Sequence, residues 1–186
     1  MARLDPLTPA EMTDTQRRVH DESLQAPGGA RDRAPRPFTA WLRSPELARR
    51  AFGLGEFVRR DTTLAPRLVQ IAALTVARHW SAQYLWHTRK QDALKLGLAA
   101  AAIDAIANRQ TPALADPAER AVHAFSTALQ NNHQVPDAIY RQAVAALGEA
   151  GVAELVGVIG YYTLVAMTLT SFELGLPEGA PPELAP

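Results

Sequence analysis

Apolar residues recur along this chain at helical spacing, and no stretch alternates apolar and polar for more than a few residues. Leu68, Ile71, Ala72 and Thr75 stand at i, i+3, i+4 and i+7, which predicts an amphipathic helix opening at Pro66. A second helix is predicted from about Ala82 to Leu96, a stretch free of Gly and Pro, with Gly97 as its C′ residue. On it Gln83, His87 and Lys90 project from one side, while Leu85, Arg89 and Asp92 share another. Upstream, Thr8 with Pro9 and Glu11 has the pattern of a capping box, which predicts a helix to about Leu24. Residues 37–43 predict a helical turn or two, and Ser44-Pro45-Glu46 predicts a helix start. That helix runs to about Arg60, with Leu47, Phe52, Leu54 and Phe57 as its apolar face. Gly53 and Gly55 inside it either loosen it or admit a close neighbour.

Downstream of Gly97 a short alanine-rich helix ends before Pro112. Helices follow over about Asp116–Asn131 (Ala121, Val122, Phe125, Ala128 and Leu129 inward) and from Pro136 to about Leu147 (Ile139, Ala143 and Leu147 inward). A long apolar helix then spans Ala150 to Leu174. The prediction is an all-α bundle of seven to eight helices in one domain. Residues 1–34 form an N-terminal helix and an exposed loop, residues 35–180 the helical domain, and residues 181–186 a Pro-rich tail. Three arginines near the loop, Arg31, Arg33 and Arg36, suggest either a solvated surface or a cover that guides anions into a cleft.

At 186 residues with 47% apolar and 20% charged residues, the chain has the make-up of an ordinary globular domain. Nineteen basic and nineteen acidic residues cancel, which argues against a general nucleic-acid or anionic-membrane binder. With no cysteine, disulfides, thiolate metal sites and thiol redox chemistry are excluded. MARLDPLTPAEMTDTQRR has no apolar core of a secretory signal, so a cytoplasmic location is expected. Leu155 to Phe172 carries no charge and reaches the lower limit of a spanning helix. Its glycines, threonines and tyrosines, and the lack of a basic flank, favour a buried core helix or an oligomer seam.

Two of the three tryptophans, Trp80 and Trp86, fall at the junction of the two central helices with His79, Gln83, Tyr84, His87 and Arg89. Here the chain resembles the carboxymuconolactone decarboxylase family, which includes the alkylhydroperoxidase D-type peroxidases. RLVQIAALTVARHWSAQYLWHTRKQDALKLGL is similar to that family's core helix pair, and ELVGVIGYYTLVAMTLTSFELGLPEGA to its last helix and tail in one subgroup. SPELARRAFGLGEFVRRDTTLAPR resembles the segment before the core. Peroxidase members carry a Glu on the first core helix and Cys-x-x-Cys-x-x-x-His on the second. The resemblance assigns these positions to Gln70, Ala82, Leu85 and Arg89. All four reactive residues are therefore substituted. His87, two residues before Arg89, lies about 200° away around a helix and does not replace the missing His.

None of His20, His79, His87, His123 and His133 belongs to a metal-type HExxH motif, so no metal and no cofactor are expected. The resemblance implies proton transfer on a small carboxylated lactone or ring. For that chemistry His87 is the acid–base candidate, because an imidazole is the side chain suited to proton transfer near neutrality. Arg89 is a possible carboxylate clamp, and Gln83, Tyr84 and Trp80 are possible pocket walls. Helix geometry sets a second reading beside this one: Gln83 and His87 go together, and Arg89 is structural. It also leaves open a non-catalytic oligomeric scaffold or small-ligand binder that lost the family's reactive groups. The resemblance further implies a homo-oligomer, a trimer or a hexamer, while neither nucleic acid nor membrane is an expected partner.

Overall fold

The computed structural model describes residues 2–25, 36–177 and 179–185. Arg31 and Arg33 of the arginine-bearing loop lie outside these residues. Helix α4 (Pro66–His79) is the axis of the fold. Every residue from Leu68 to Arg78 is buried, so the single apolar face predicted for it is only one part of its packing. Three alanines, Ala72, Ala73 and Ala77, let neighbours approach from several sides. Helices α5 (Gln83–Lys95), α6 (Ala100–Ala107), α7 (Pro117–Asn132) and α8 (Asp137–Ser171) pack around it. All described elements are helical, which matches the all-α expectation.

The N-terminal helix α1 (Asp14–Gln25) starts later than Thr8. Thr8 and Glu11 do pair, through Thr8 N and Oγ1 to Glu11 Oε2 at 2.8 Å, but they close only an isolated turn. The helix is capped by Thr13 and Gln16: Thr13 N donates to Gln16 Oε1 at 2.9 Å, and Gln16 N donates back to Thr13 Oγ1 at 3.3 Å. Two nearby polar pairs at the same spacing competed, and the second leads into the buried Val19.

Helix α2 (Arg36–Trp41) places Trp41 in the core, where its indole N–H donates to Thr168 Oγ1 of α8 at 2.8 Å. Helix α3 (Pro45–Glu56) continues through a wider π-helical turn, Phe57–Asp61. Of the predicted face only Phe52 turns inward, edge-on to Phe38 at 5.7 Å. Leu47, Leu54 and Phe57 are 45%, 41% and 37% exposed, while Ala48, Ala51, Gly55 and Val58 are buried. The helix sits so close to its neighbours that only small residues fit, and a Cβ on Gly55 would lie 2.7 Å from Tyr161 Cζ. Size, not hydrophobicity, set its orientation.

Polar clamps fix the elements that hold the central pair. Glu154 of α8 accepts from Thr62 Oγ1, Thr63 N and Thr63 Oγ1 at 2.6, 2.7 and 2.8 Å, seating the start of α4. The hydroxyls of Thr62 and Thr63 hold its carboxyl below the usual range. Arg67 Nε donates to buried Glu119 of α7 at 2.7 Å. Asp116 caps α7 by accepting from Ala118 N at 2.8 Å. Gly148, at φ 73° and ψ 168°, breaks α8 into two helical arms, as the separate helices predicted before and after it require. Helix α8 as a whole is long and apolar enough to cross a membrane by length and composition, and 56% of its apolar window is buried inside the fold.

Candidate functional site

The corner between α4 and α5 is tight. Ala82 N donates to Ala77 O at 2.8 Å, and Ser81 takes a left-handed φ of 46°. Arg78 Nη1 braces this corner by donating to Ser81 Oγ at 2.8 Å. The corner sets the rotation of α5, and from it two of the helix's faces receive separate roles.

The first face carries Gln83, His87 and Lys90, and all three meet the C-terminal segment of the same chain. Gln83 Nε2 donates to Leu184 O at 2.7 Å, while its Oε1 accepts from Glu183 N at 3.0 Å and Leu184 N at 3.1 Å. Lys90 pairs with the Glu183 carboxylate. His87 Nδ1 stands 3.6 Å from Glu183 Oε1, and its Nε2 accepts from Gln91 Nε2 at 2.9 Å. Leu184 is buried, and Ala185 O accepts from Arg78 Nη1 at 3.0 Å. Residues set apart from the domain as a tail thus form part of its packed surface. Burial works to raise the Glu183 carboxyl, but Lys90 and His87 outweigh it and hold the group below its ordinary value.

The second face carries Arg89. It pairs with Asp92 at 3.0 Å and lies over the Tyr162 ring at 5.9 Å, away from the tail. Lys90, not Arg89, therefore meets the carboxylate beside His87, and the reading that keeps Gln83 with His87 describes the geometry. Tyr84 is covered by Arg36, whose guanidinium carbon is 5.6 Å from the ring centre. Trp80 packs edge-on to His79 at 6.0 Å, with its indole nitrogen buried and unpartnered. Neither Tyr84 nor Trp80 shares the polar contacts of Gln83. Glu183 and Lys90 were not among the expected site residues. The signal available for them was a lone acid and leucine among prolines, together with the position of Lys90 one turn beyond His87.

Three of the four positions that the resemblance assigns to reactive groups, Gln70, Ala82 and Leu85, are buried. None offers an acid–base or redox group, and Gln70 Oε1 has no hydrogen-bond partner. Tyr162 Oη is also buried without a partner. Burial raises Tyr161, with Arg59 acting against it through a 3.0 Å hydrogen bond to the phenol oxygen. Among the described residues no group of three His, Asp or Glu residues is placed to hold a metal.

No family model matches the sequence, and no curated protein matches it. Solved structures do match. The alkylhydroperoxidase AhpD core protein from Ralstonia eutropha JMP134, an uncharacterized peroxidase-related protein, aligns with TM-score 0.75 and 13% identity. That alignment covers 95% of this chain and 93% of the other. The debrominase Bmp8 C82A, in complex with 2,3,4-tribromopyrrole, aligns with TM-score 0.72 and 15% identity over 96% of this chain and 95% of its own. A protein of unknown function from Agrobacterium tumefaciens, whose name links it to AhpD, gives TM-score 0.66 and 17% identity over 74% and 94%. The fold is AhpD-like.

Proposed function

We propose that this protein binds a small carboxylated ring or lactone against α5 and transfers a proton on it, in the manner of the carboxymuconolactone decarboxylase family and without a thiol step. One observation carries this reading: the chain already docks a carboxylate there. Glu183 sits against Lys90 and His87 while Gln83 grips the backbone around it. A face that holds its own glutamate has the groups to hold a substrate carboxylate, with Lys90 as counter-charge, Gln83 as orienting amide and His87 as proton carrier. The structural neighbour that binds a halogenated pyrrole supports a small ring as the ligand class for this fold.

The test is Glu183→Gln in the full chain, alongside a chain ending at Gly179. Both are expected to bind succinate and carboxylated lactones more tightly than the parent, by roughly tenfold for the loss of one charged hydrogen-bond competitor. His87→Ala in either background is expected to abolish proton exchange on a bound lactone, read by deuterium uptake, while Arg89→Ala leaves it intact. Because Glu183 is held below its ordinary range, docking persists at neutral pH and weakens as pH falls through the docked carboxyl's pKa. If neither variant binds any such acid and His87→Ala changes nothing, the proton-transfer reading fails. The substituted positions Gln70, Ala82, Leu85 and Arg89 favour the alternative in that event: a scaffold or binding protein on the same fold.

We also propose a homo-oligomer, a trimer or hexamer. Leu47, Leu54 and Phe57 on α3, and Val156 and Met167 on the outer side of α8, form apolar faces that the single chain leaves open. Light scattering is expected to return three or six times the 20.1 kDa chain mass. Leu54→Glu with Met167→Glu is expected to shift the mass toward the monomer. A parent chain that runs as a monomer at micromolar concentration overturns the proposal.

A further inference from the structure

A cleft of about 120 Å³ opens between α4, the turn after α6, and α7, and Gln70, Gln83 and His87 do not line it. It is lined by Arg78, Arg109, His79, His123, Thr127 and Gln130 among others, and no Asp or Glu lines it. That imbalance is unusual in a chain with equal numbers of acids and bases. Neither arginine has an ion-pair partner among the described residues.

Arg78 is the residue that most needs an explanation. It is only 7% exposed, yet its Nε is buried with no acceptor. Its Nη1 is taken by Ser81 and Ala185. A buried guanidinium without a carboxylate is costly, because desolvation is not offset by any opposite charge. Burial and the charge of Arg109 both push it below the usual arginine value. Arg109 itself stands at a left-handed φ of 58°, an uncommon backbone state for a residue with a side chain. Thr127 Oγ1, also on the cleft wall, is buried and unpartnered. His79 Nδ1 is committed to Asn131 Oδ1 at 3.0 Å, and burial pushes His123 down, so the ring is neutral near neutral pH. Among the described residues, the cleft thus holds two positive charges and an unpartnered hydroxyl, and no acid answers them.

We propose that this cleft is a binding site for a compact dianion, a phosphate group or a short dicarboxylate, seated between Arg78 and Arg109 with Thr127 as a hydroxyl contact. Its volume is well below the roughly 300 Å³ at which drug-sized pockets begin, so the ligand is a small acid or a single phosphoryl group. Binding relieves the repulsion between the two guanidinium groups.

The experiment uses the full chain with inorganic phosphate and malonate as separate probes, at constant ionic strength set with sodium chloride. NMR of the histidine rings reads the site. Both His79 and His123 are expected to shift and saturate with at least one probe, with a shared midpoint. Whichever probe binds tighter identifies the chemistry, phosphoryl or dicarboxylate. Arg109→Gln, at an exposed turn, is expected to weaken that binding by about tenfold, the effect of losing one charged contact. Thr127→Val is expected to weaken it by a smaller factor. Shifts that chloride reproduces, an absence of saturation by either probe, or Arg109→Gln binding within twofold of the parent would overturn the proposal. Using two variants on different elements keeps the outcome readable if either one folds poorly.

Discussion

Trp86→Ala is expected to lower the unfolding free energy by about 3–5 kcal/mol, the range for truncating a large aromatic residue in a closed core. Trp86 is 1% exposed, and on α5 only Leu85, Trp86 and Ala93 are buried. The remainder of that helix is polar or half-exposed, so the indole is its principal hold on the bundle. A loss of this size is a large share of the roughly 5–15 kcal/mol that keeps a domain folded. It is measured as the shift in a urea or guanidinium unfolding curve, with the slope checked for a change in exposed surface. The tail contacts of Gln83 and Lys90 are expected to loosen with it, because both residues ride on α5. A cost under about 1 kcal/mol would mean that the ring is not enclosed and that α5 docks otherwise.

Gly55→Ala and Gly53→Ala are expected to move stability in opposite directions, although the two glycines lie two residues apart in α3. A methyl group at Gly53 meets nothing within 4 Å, so the gain in helix propensity, about 0.5–1 kcal/mol, stands alone. A methyl group at Gly55 would lie 2.7 Å from Tyr161 Cζ. That ring has no room to retract, since it is buried, with Trp41 at 6.5 Å and Tyr162 at 5.2 Å edge-on to it. Overpacking of this kind costs about 1–3 kcal/mol, more than the propensity gain. The propensity gain is common to both, so the two variants should differ by roughly 1–3 kcal/mol in denaturation experiments. The hydrogen bond from Arg59 to Tyr161 is expected to break in Gly55→Ala, which removes a contact that lowers the phenol's pKa and so moves its absorbance titration further up. Equal stabilities for the two variants would show that α3 does not approach α8 so closely.

Helix spacing carried real information about the candidate site. Gln83, His87 and Lys90 stand at i, i+4 and i+7, and they do meet one and the same segment of chain. The same arithmetic separated Arg89 from His87, and Arg89 does bind elsewhere, to Asp92 and over Tyr162. What lies opposite that face was not legible. Glu183 is about a hundred residues further along, and nothing local in a Pro-rich stretch states which surface it will meet. The cationic cleft was hidden for the same reason: Arg78, Arg109 and Thr127 come from three separate elements. Helix α3 failed for a different cause. Leu47, Leu54 and Phe57 were read as inner beside Phe52, whereas the closeness of α8 and the bulk of Tyr161 leave that side to small residues.

The sequence by itself determined the helical class, the order of the helices, the break between the last two arms and the absence of thiol chemistry. These follow from short-range causes: 3.6-residue periodicity, glycine and proline at helix ends, and a residue count. Tertiary structure alone decided that α4 is buried on every side, that α3 turns its leucines outward, and that the tail seats its glutamate on Lys90 and His87. It also decided that two arginines share a cleft without an acid. Each of these depends on which distant side chains arrive at one place, and on whether their sizes and charges fit there. Periodicity along a single helix records which residues share a face; what that face will meet is set by the packing of the rest of the chain.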